Sequence, residues 1–492
     1  MAAIETDLII DGEWRPATNG ARYEVVNPAR PSELVGSAAA GGVDDVDLAY
    51  AAARAAAPEW ATLSYQERAA YLNKVVDALV ADQADLDERI ALLTREHGKV
   101  LRESTMELTR LGQRFEGVAS YADRLAEDDR FPGPPFDTIV TRHPYGVALL
   151  IIPWNWPLSI LGASLPQALL AGNSVVVKPS EYAVLATART IKLIADQLPP
   201  GVVNMVSGDG GQIGDALTTH REVGKICYTG GIEVGKHIMR TASENLTPVI
   251  LELGGNDAAI VLADAELGPE AFVKMHMGGF ISTGQVCMAM KRLYVHESRF
   301  GEVVDGLTAI EGKQVVGDGL LPEVTMGPLI NAKQHAHVKT LVDEAAAAGA
   351  DVRAMGEVPD QELFDNGYFI RPTLVVDPDP SLGIVVHEQF GPALPLVKFS
   401  DEEEAIRLAN DSNFGLASSV WTADHERGLA LARRLEAGTT YLNAHGPTSQ
   451  DGRAPFGGMK LSGIGRELGY EGVLEFQQLH TITSEAGTLF GT

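Results

Sequence analysis

The stretch GVALLIIPWNWPLSILGASLPQALLAGNSVVVKP (residues 146–179) decides the architecture. From Pro144 to Val177 the chain carries no Asp, Glu, Lys or Arg, a run longer than the ~20 residues that cross a bilayer. Pro144, Pro153, Pro157 and Pro166 interrupt it, however, with Gly146, Gly162, Gly172, Asn155 and Asn173 among them. Prolines at that density break a spanning helix, so the segment reads as buried strand, loop, helix, strand. GVALLII and NSVVVKP are then two strands of one sheet, with SLPQALLA as the helix between them.

The pattern repeats on both sides. GVVNMVS (201–207), KICYTG (225–230) and DAAIVL (257–262) are further apolar runs, and the helical stretches ATARTIKLIADQL and VGKHIMRTASEN lie between them. Strands alternating with helices indicate βαβ units and a parallel sheet buried on both faces. A second alternating set follows: KRLYVH, PTLVVD, PALPLVKF, ASSVWT and TTYLN. Two α/β domains divided near Gly254–Asn256 are expected. Ahead of both, Val43 to about Ser104 is helical in pattern, and LSYQER offers a capping box between Ser64 and Glu67. The tail from Leu474 to Ile482 is strand-like, and a lone terminal strand is a sticky edge, so it should pair with something, a second subunit included.

Composition bounds the function. The net charge of −27 disfavours nucleic acid and anionic membranes as partners, so any anionic ligand must find a local positive field. Two cysteines in 492 residues suit a reducing compartment better than a disulfide framework. The N-terminal MAAIETDLIIDGEW has no basic region followed by an apolar run, and a cytoplasmic address is the expectation. None of the 12 histidines sits in a metal-binding spacing, so no metal is expected.

Several short stretches have the chemistry of a site. Cys287, after Gly284 and Gln285, is a candidate nucleophile, whereas Cys227 between Ile226 and Tyr228 reads as a small buried hydrophobe. Glu252 in LELGGN sits among apolar neighbours at a strand end, where desolvation suits a general base, or it is a partnered structural carboxylate. Asn155 in PWNWPL can direct an amide N–H at an oxyanion or merely satisfy a turn. Lys178 and Glu181 in KPSE close a strand where open sheets bind ligands, and a carboxylate there favours a ribose diol over a 2′-phosphate, hence NAD over NADP. Neither SGDGGQIG (207–214) nor TGGIEVG (229–235) spells an orthodox dinucleotide fingerprint, although the second opens a helix after a strand.

In order, PWNWPL, KPSE, TGGIEVG, LELGGN, GQVC, HEQFGP and PFGGMKLSGIGRELG resemble the aldehyde dehydrogenase superfamily, of the NAD(P)-dependent hydrolytic kind, from about residue 7 onward. The resemblance implies a Rossmann-like cofactor domain (1–121 and 145–255), an α/β catalytic domain (256–471) and a small β oligomerisation element (122–144 and 472–492). It implies oxidation of an aldehyde to the acid through a thiohemiacetal and thioester on Cys287, with Asn155 holding the oxyanion and Glu252 activating water. Pro153, Trp154, Lys178, Ser180, Glu181, Gly210, Gly230, Gly231, Val234, Leu253, Glu388 and Phe390 occupy cofactor-contact positions. Glu467 aligns with a carboxylate that assists deacylation or proton relay, and a homodimer or homotetramer is the family habit.

Trp156, Val286, Met288, His445, Arg453 and Phe456 are the candidate substrate residues. The apolar ones point to an uncharged aromatic or medium-chain aldehyde, while Arg453 would instead receive an acid-bearing semialdehyde. A CoA-acylating relative is the competing enzyme, but such relatives usually lack a base at Glu252. A silent structural relative would tend to lose Cys287 or Glu252, and a bare thioesterase would have no use for KPSE and HEQFGP.

Overall fold

The computed structural model describes residues 4–485. The decisive stretch folds as strand Val147–Ile151, a loop over 152–156, helix Pro157–Ala171 and strand Ser174–Lys178, the two strands being parallel. Pro157 sits in the helix's first turn, where its missing N–H costs nothing, and Gly172 ends the helix at φ 100°. The sheet is covered on both sides: Leu150, Val175 and Val177 belong to one apolar core, and Leu149 and Val176 to the other.

This sheet has eight strands, in the order Gly463–Ile464, Val249–Glu252, Val223–Thr229, Val147–Ile151, Ser174–Lys178, Val203–Met205, Leu8–Ile10 and Glu13–Arg15. Its five central strands are parallel, and the short outer ones pair antiparallel. Four helices, Val43–Thr62, Tyr65–Val80, Gln83–His97 and Leu101–Ala119, lie in the chain between its strands Glu13–Arg15 and Val147–Ile151. Ser64 and Glu67 form the reciprocal cap expected of LSYQER, Ser64 Oγ accepting from the Glu67 N–H and Glu67 Oε2 from the Ser64 N–H. Trp60 Nε1 and Arg68 Nε donate to the last carbonyls of the Pro157–Ala171 helix, at Leu169 and Leu170.

Beyond Gly254–Asn256 the chain enters a second sheet. Asp257–Val261 lies within seven strands ordered Asp351–Ala354, Thr373–Val376, Ala393–Phe399, Met290–His296, Asp257–Val261, Ala417–Trp421 and Thr439–Leu442. All pairs are parallel except the outer Asp351–Ala354. The strand-like tail is the strand Gln477–Glu485, antiparallel to Phe136–Pro144 over its whole length. With Asp129–Phe131 these make a three-stranded sheet that leaves Leu479 and Ile482 exposed.

Two features escaped the sequence reading: an N-terminal sheet of Ile4–Thr6, Arg30–Ala39 and Arg22–Asn27, and the return of Gly463–Ile464 to the first sheet. No helix among the described residues is long and apolar enough to cross a membrane.

Asn173 ties the C-terminal segment to the first sheet. Its Nδ2 donates to Phe476 O and Ala168 O, and its Oδ1 accepts from the Gly146 N–H. Asn173→Ala strands a buried donor and acceptor and should cost about 2–4 kcal/mol. A lowered urea midpoint with unchanged circular dichroism checks this.

Candidate active site

The turn that carries Cys287 is held in an unfavourable backbone shape. After helix Pro269–Phe280, Ser282, Thr283 and Gly284 take φ values of 53°, 56° and 72°, a region that costs non-glycine residues energy and persists only when the surroundings enforce it. The Ser282 N–H donates to Glu103 Oε1 at 2.7 Å, and Thr283 Oγ1 donates to Gly327 O. Gly284 admits no side chain, since a Cβ would lie 2.3 Å from Gly391 O. Gln285 is buried and stitches neighbouring loops, its Oε1 accepting from the Ile330 N–H and its Nε2 donating to Ser282 O. The Gly-Gln pair thus serves the turn's own construction.

Cys287 itself is partly exposed. Burial pushes its thiol up to about 12; Lys291 opposes this, while Glu252, Asp257 and Glu388 add to it. Lys291 Nζ donates to the carbonyls of Val286 and Cys287, fixing the backbone on both sides of the Cys287 N–H.

Asn155 lies against the same turn, one N–H of its amide donating to Gln285 O at 3.1 Å. Its backbone carbonyl accepts from Lys99 Nζ at 2.8 Å, and Lys99 is ion-paired to Glu107 at 2.6 Å with both side chains fully buried. The other Glu107 oxygen accepts from the N–H groups of Leu158 and Ser159 at the start of the Pro157–Ala171 helix.

Glu252 ends its strand buried, and neither oxygen makes a well-formed hydrogen bond. Burial raises its pKa well above the ordinary 4.5, the nearby Glu467 carboxylate adding and Arg466 and the Gly458 amide opposing. Glu467 is also buried and is pushed up to about 7 by desolvation, with the Cys227 hydrogen bond and Arg114 opposing. Cys227 is more than the inert filler its neighbours suggested, because its Sγ–H donates to Glu467 Oε1 at 3.2 Å.

A second group of candidates lines the C-terminal ends of the first sheet's strands. Lys178 Nζ reaches Pro179 O and Glu181 Oε2 only at 3.3 and 3.4 Å, with Ser180 buried between them. A Cβ on Gly210 would stand 3.8 Å from that ammonium. Gly230 donates its N–H to Glu252 O, Gly231 heads the helix Ile232–Ala242 with no side-chain cap, Val234 is exposed on that helix, and its neighbour Gly235 packs against the buried Leu253. Glu388 Oε1 accepts from the Gly255 N–H at 3.1 Å and pairs with Lys291 at 3.4 Å. Phe390, at φ 51°, meets Trp154 edge-on at 5.5 Å, and Pro153 beside Trp154 is partly exposed.

Trp156, Val286, Met288 and Phe456 pack into one apolar cluster that Cys287 and Tyr441 border. His445 is buried behind it and bonded to Ser419 Oγ at 2.8 Å. Burial lowers His445 to about 3, Lys291 adding, and its Nε2 stands 4.0 Å from Asp257 Oδ2. Arg453 departs from the group: its side chain is 88% exposed and turned onto Asp451. Lys99, Glu107, Asp257 and Tyr441 were not picked out from sequence, since isolated charged or aromatic residues in helices and strands give no local signal.

A family model described as the aldehyde dehydrogenase family matches residues 14–482. The chain is 37% identical over 477 residues to betaine aldehyde dehydrogenase of Bacillus subtilis, covering 96% of each chain. A crystal structure of betaine aldehyde dehydrogenase from Staphylococcus aureus in complex with NAD+ superposes with a TM-score of 0.91 at 33% identity, over 99% of this chain and 95% of that one. An E. coli protein described as an NADP-dependent enzyme gives 0.92 at 32% identity, over 98% of each chain.

With its thiol held near 12, Cys287 in the resting protein should react with iodoacetamide about tenfold faster per pH unit from pH 7 to 9, because only the thiolate attacks. Mass spectrometry of the Cys287 peptide against time checks this, and a plateau below pH 8 would contradict it.

Proposed function

The chain belongs to the aldehyde dehydrogenase family, and from that we propose that it oxidises an aldehyde to the carboxylic acid with NAD as the hydride acceptor and Cys287 as the acyl carrier. The observation that carries this assignment is the meeting of three groups at one turn. Cys287 is partly open, the Asn155 amide is anchored on the same turn, and Glu252 is buried without a well-formed hydrogen bond within electrostatic reach of the thiol.

The residues fit a dinucleotide. The Ile232–Ala242 helix presents uncapped N–H groups at Gly231, where a Cβ would meet nothing within 4 Å, so a pyrophosphate has both donors and room. Lys178 and Glu181 would hold the adenosine ribose, and Glu388 and Phe390 the nicotinamide end. NAD, when bound, accepts a hydride from the carbon that Cys287 has attacked. Glu181 makes the preference NAD over NADP, since a carboxylate at that place repels a 2′-phosphate.

The chain's own part follows from its donors. The Cys287 thiol gives up its proton to water and, as the thiolate, adds to the aldehyde carbon, and the oxyanion takes the second N–H of the Asn155 amide, the first being used on Gln285 O. The backbone N–H of Cys287 is the other donor. Once the carbon is oxidised the acyl group is a thioester on Sγ. Glu252 then removes a proton from the attacking water, the carbon–sulfur bond breaks, and the acid leaves with the thiol restored. A carboxylate with a raised pKa is suited to this near neutral pH, and its share of the basic form grows as pH rises through that pKa.

In the same reading the eight-stranded sheet serves the cofactor and the seven-stranded sheet the nucleophile. The exposed Leu479 and Ile482 face would join copies of the chain into a homodimer or homotetramer. The acidic composition and sparse cysteines continue to support a cytoplasmic address.

Purified protein mixed with NAD and an aldehyde, without CoA, should release NADH and free acid, and Cys287→Ala should release neither. Glu252→Gln should give one NADH per active site in a burst and then turn over roughly 10²–10⁴-fold more slowly. NADH and acyl-CoA formed only after CoA is added, with no free acid, would sink this reading. Glu181→Gln should shift the NAD-to-NADP ratio of kcat/KM toward NADP by about tenfold, measured by initial rates with each dinucleotide.

A further inference from the structure

The Leu101–Ala119 helix sends two arginines, Arg110 and Arg114, toward the 443–456 loop. Arg110 Nη2 donates to Pro447 O at 3.1 Å, and its guanidinium carbon stands 5.8 Å from the centre of the Trp156 ring. Arg114 Nη2 donates to Gln450 Oε1 at 2.7 Å, and its stem packs against Gly162. Burial lowers Arg114 to about 10, with Arg110 adding, which leaves it charged at neutral pH.

Among the described residues neither arginine makes an ion pair. The surrounding carboxylates are committed elsewhere: Glu107 to Lys99 and two helix amides, Glu467 to Cys227, and Asp451 to Arg453. Glu107 acts on Arg110, and Glu467 and Asp451 on Arg114, only through space, and two half-buried guanidiniums without a contact ion pair are costly and stand out in a chain of net charge −27. They supply the local positive field that an anionic ligand of so acidic a protein requires.

The pair lies beside the nucleophile's pocket. Trp156, which Arg110 approaches, belongs to the apolar cluster that Cys287 and Tyr441 border. The buried Tyr441 hydroxyl has no hydrogen-bond partner and lies within electrostatic reach of both Cys287 and Arg110. The Nε and Nη1 groups of Arg110 donate to nothing in the described protein, so two separate charged donors, on opposite sides of the guanidinium, are left for an anion.

We propose that Arg110, with Arg114 beside it, forms a carboxylate-binding subsite at the end of the substrate pocket remote from Cys287, so that the preferred substrates are aldehydes bearing a carboxylate away from the reacting carbon. The proposal rests on Cys287 being the nucleophile. It moves the acid-recognising cation from the outward-turned Arg453 to the helix beneath the entrance loop, and gives the Trp156–Tyr441 surface the apolar middle of the molecule.

The experiment compares 4-formylbenzoate with 4-methylbenzaldehyde, and succinic semialdehyde with pentanal, in wild type, Arg110→Met and Arg110→Lys. Wild type should favour the acid of at least one pair in kcat/KM by about tenfold or more. Arg110→Met should lower that ratio at least tenfold, mainly through KM of the acid, and Arg110→Lys should restore part of it. The ratio is read within one preparation, so a partly misfolded variant does not imitate the effect. Equal handling of acid and neutral partner by wild type in both pairs, or an unchanged ratio in Arg110→Met, would overturn the subsite. Calorimetric binding of the same compounds to Cys287→Ala gives the preference without turnover. If no aldehyde is oxidised the proposed function falls, while tighter acid binding that Arg110→Met abolishes would still uphold the subsite and its absence would end it.

Discussion

The buried ion pair of Lys99 and Glu107 is the contact on which the rest of the site depends. Its ammonium holds the Asn155 carbonyl while its carboxylate caps the helix that begins at Pro157, whose N-cap position, Trp156, offers no side-chain acceptor. The 153–156 loop is therefore gripped at its middle and at its exit by one pair of charges. One turn earlier on the same helix, Glu103 holds the Ser282 amide of the opposite wall. A single helix thus sets the distance between the amide donor and the nucleophile's turn. Such a pair contributes little net stability against an apolar substitute, because both charges lose their water; what it provides is geometry.

Electrostatics divides the site into two regimes. Near Cys287 the fully desolvated groups are acids kept partly or wholly neutral: Asp257 is pushed up to about 7 by burial, and Glu252 and Glu467 interact closely enough that their protons belong to the pair. Lys291 is the cation that tempers this region, through Glu388 and the carbonyls beside the nucleophile. Farther out, Arg110 and Arg114 hold positive charge with carboxylates nearby but none among the described residues ion-paired to them. An acidic protein has gathered carboxyls with raised pKa values around the Cys287 thiol and, beside the 443–456 loop, guanidiniums that no described acid meets in an ion pair.

Much of this was legible in the sequence. The alternating strands and helices follow from runs such as GVALLII and NSVVVKP, whose burial on both faces leaves no polar positions to blur the pattern. The Ser64–Glu67 cap was readable because both partners are local. What was not legible is non-local or carried by ordinary residues. Lys99 and Glu107 look like any charges on a helix that faces water. The hydrogen bond from Cys227 to Glu467 joins positions far apart in the chain, and Gly463–Ile464 is too short a strand to show any period. Arg453 was read as the cation that an acid-bearing substrate would meet, and its exposed position on Asp451 was not legible because a sequence gives the loop but not the direction of its side chains.

The return of Gly463–Ile464 to pair with Val249–Glu252 has a consequence for how the molecule comes into being. The sheet begun by Leu8–Ile10 is not closed until a strand on the far side of the entire second sheet has been synthesised. During translation the edge that carries Glu252 waits open while more than two hundred residues emerge, and Glu467 arrives only with the segment that closes it. A ribosome-bound chain lacking that segment holds Cys287 and Glu252 but not Glu467, so the surroundings of Glu252 are completed only when the fold is nearly whole.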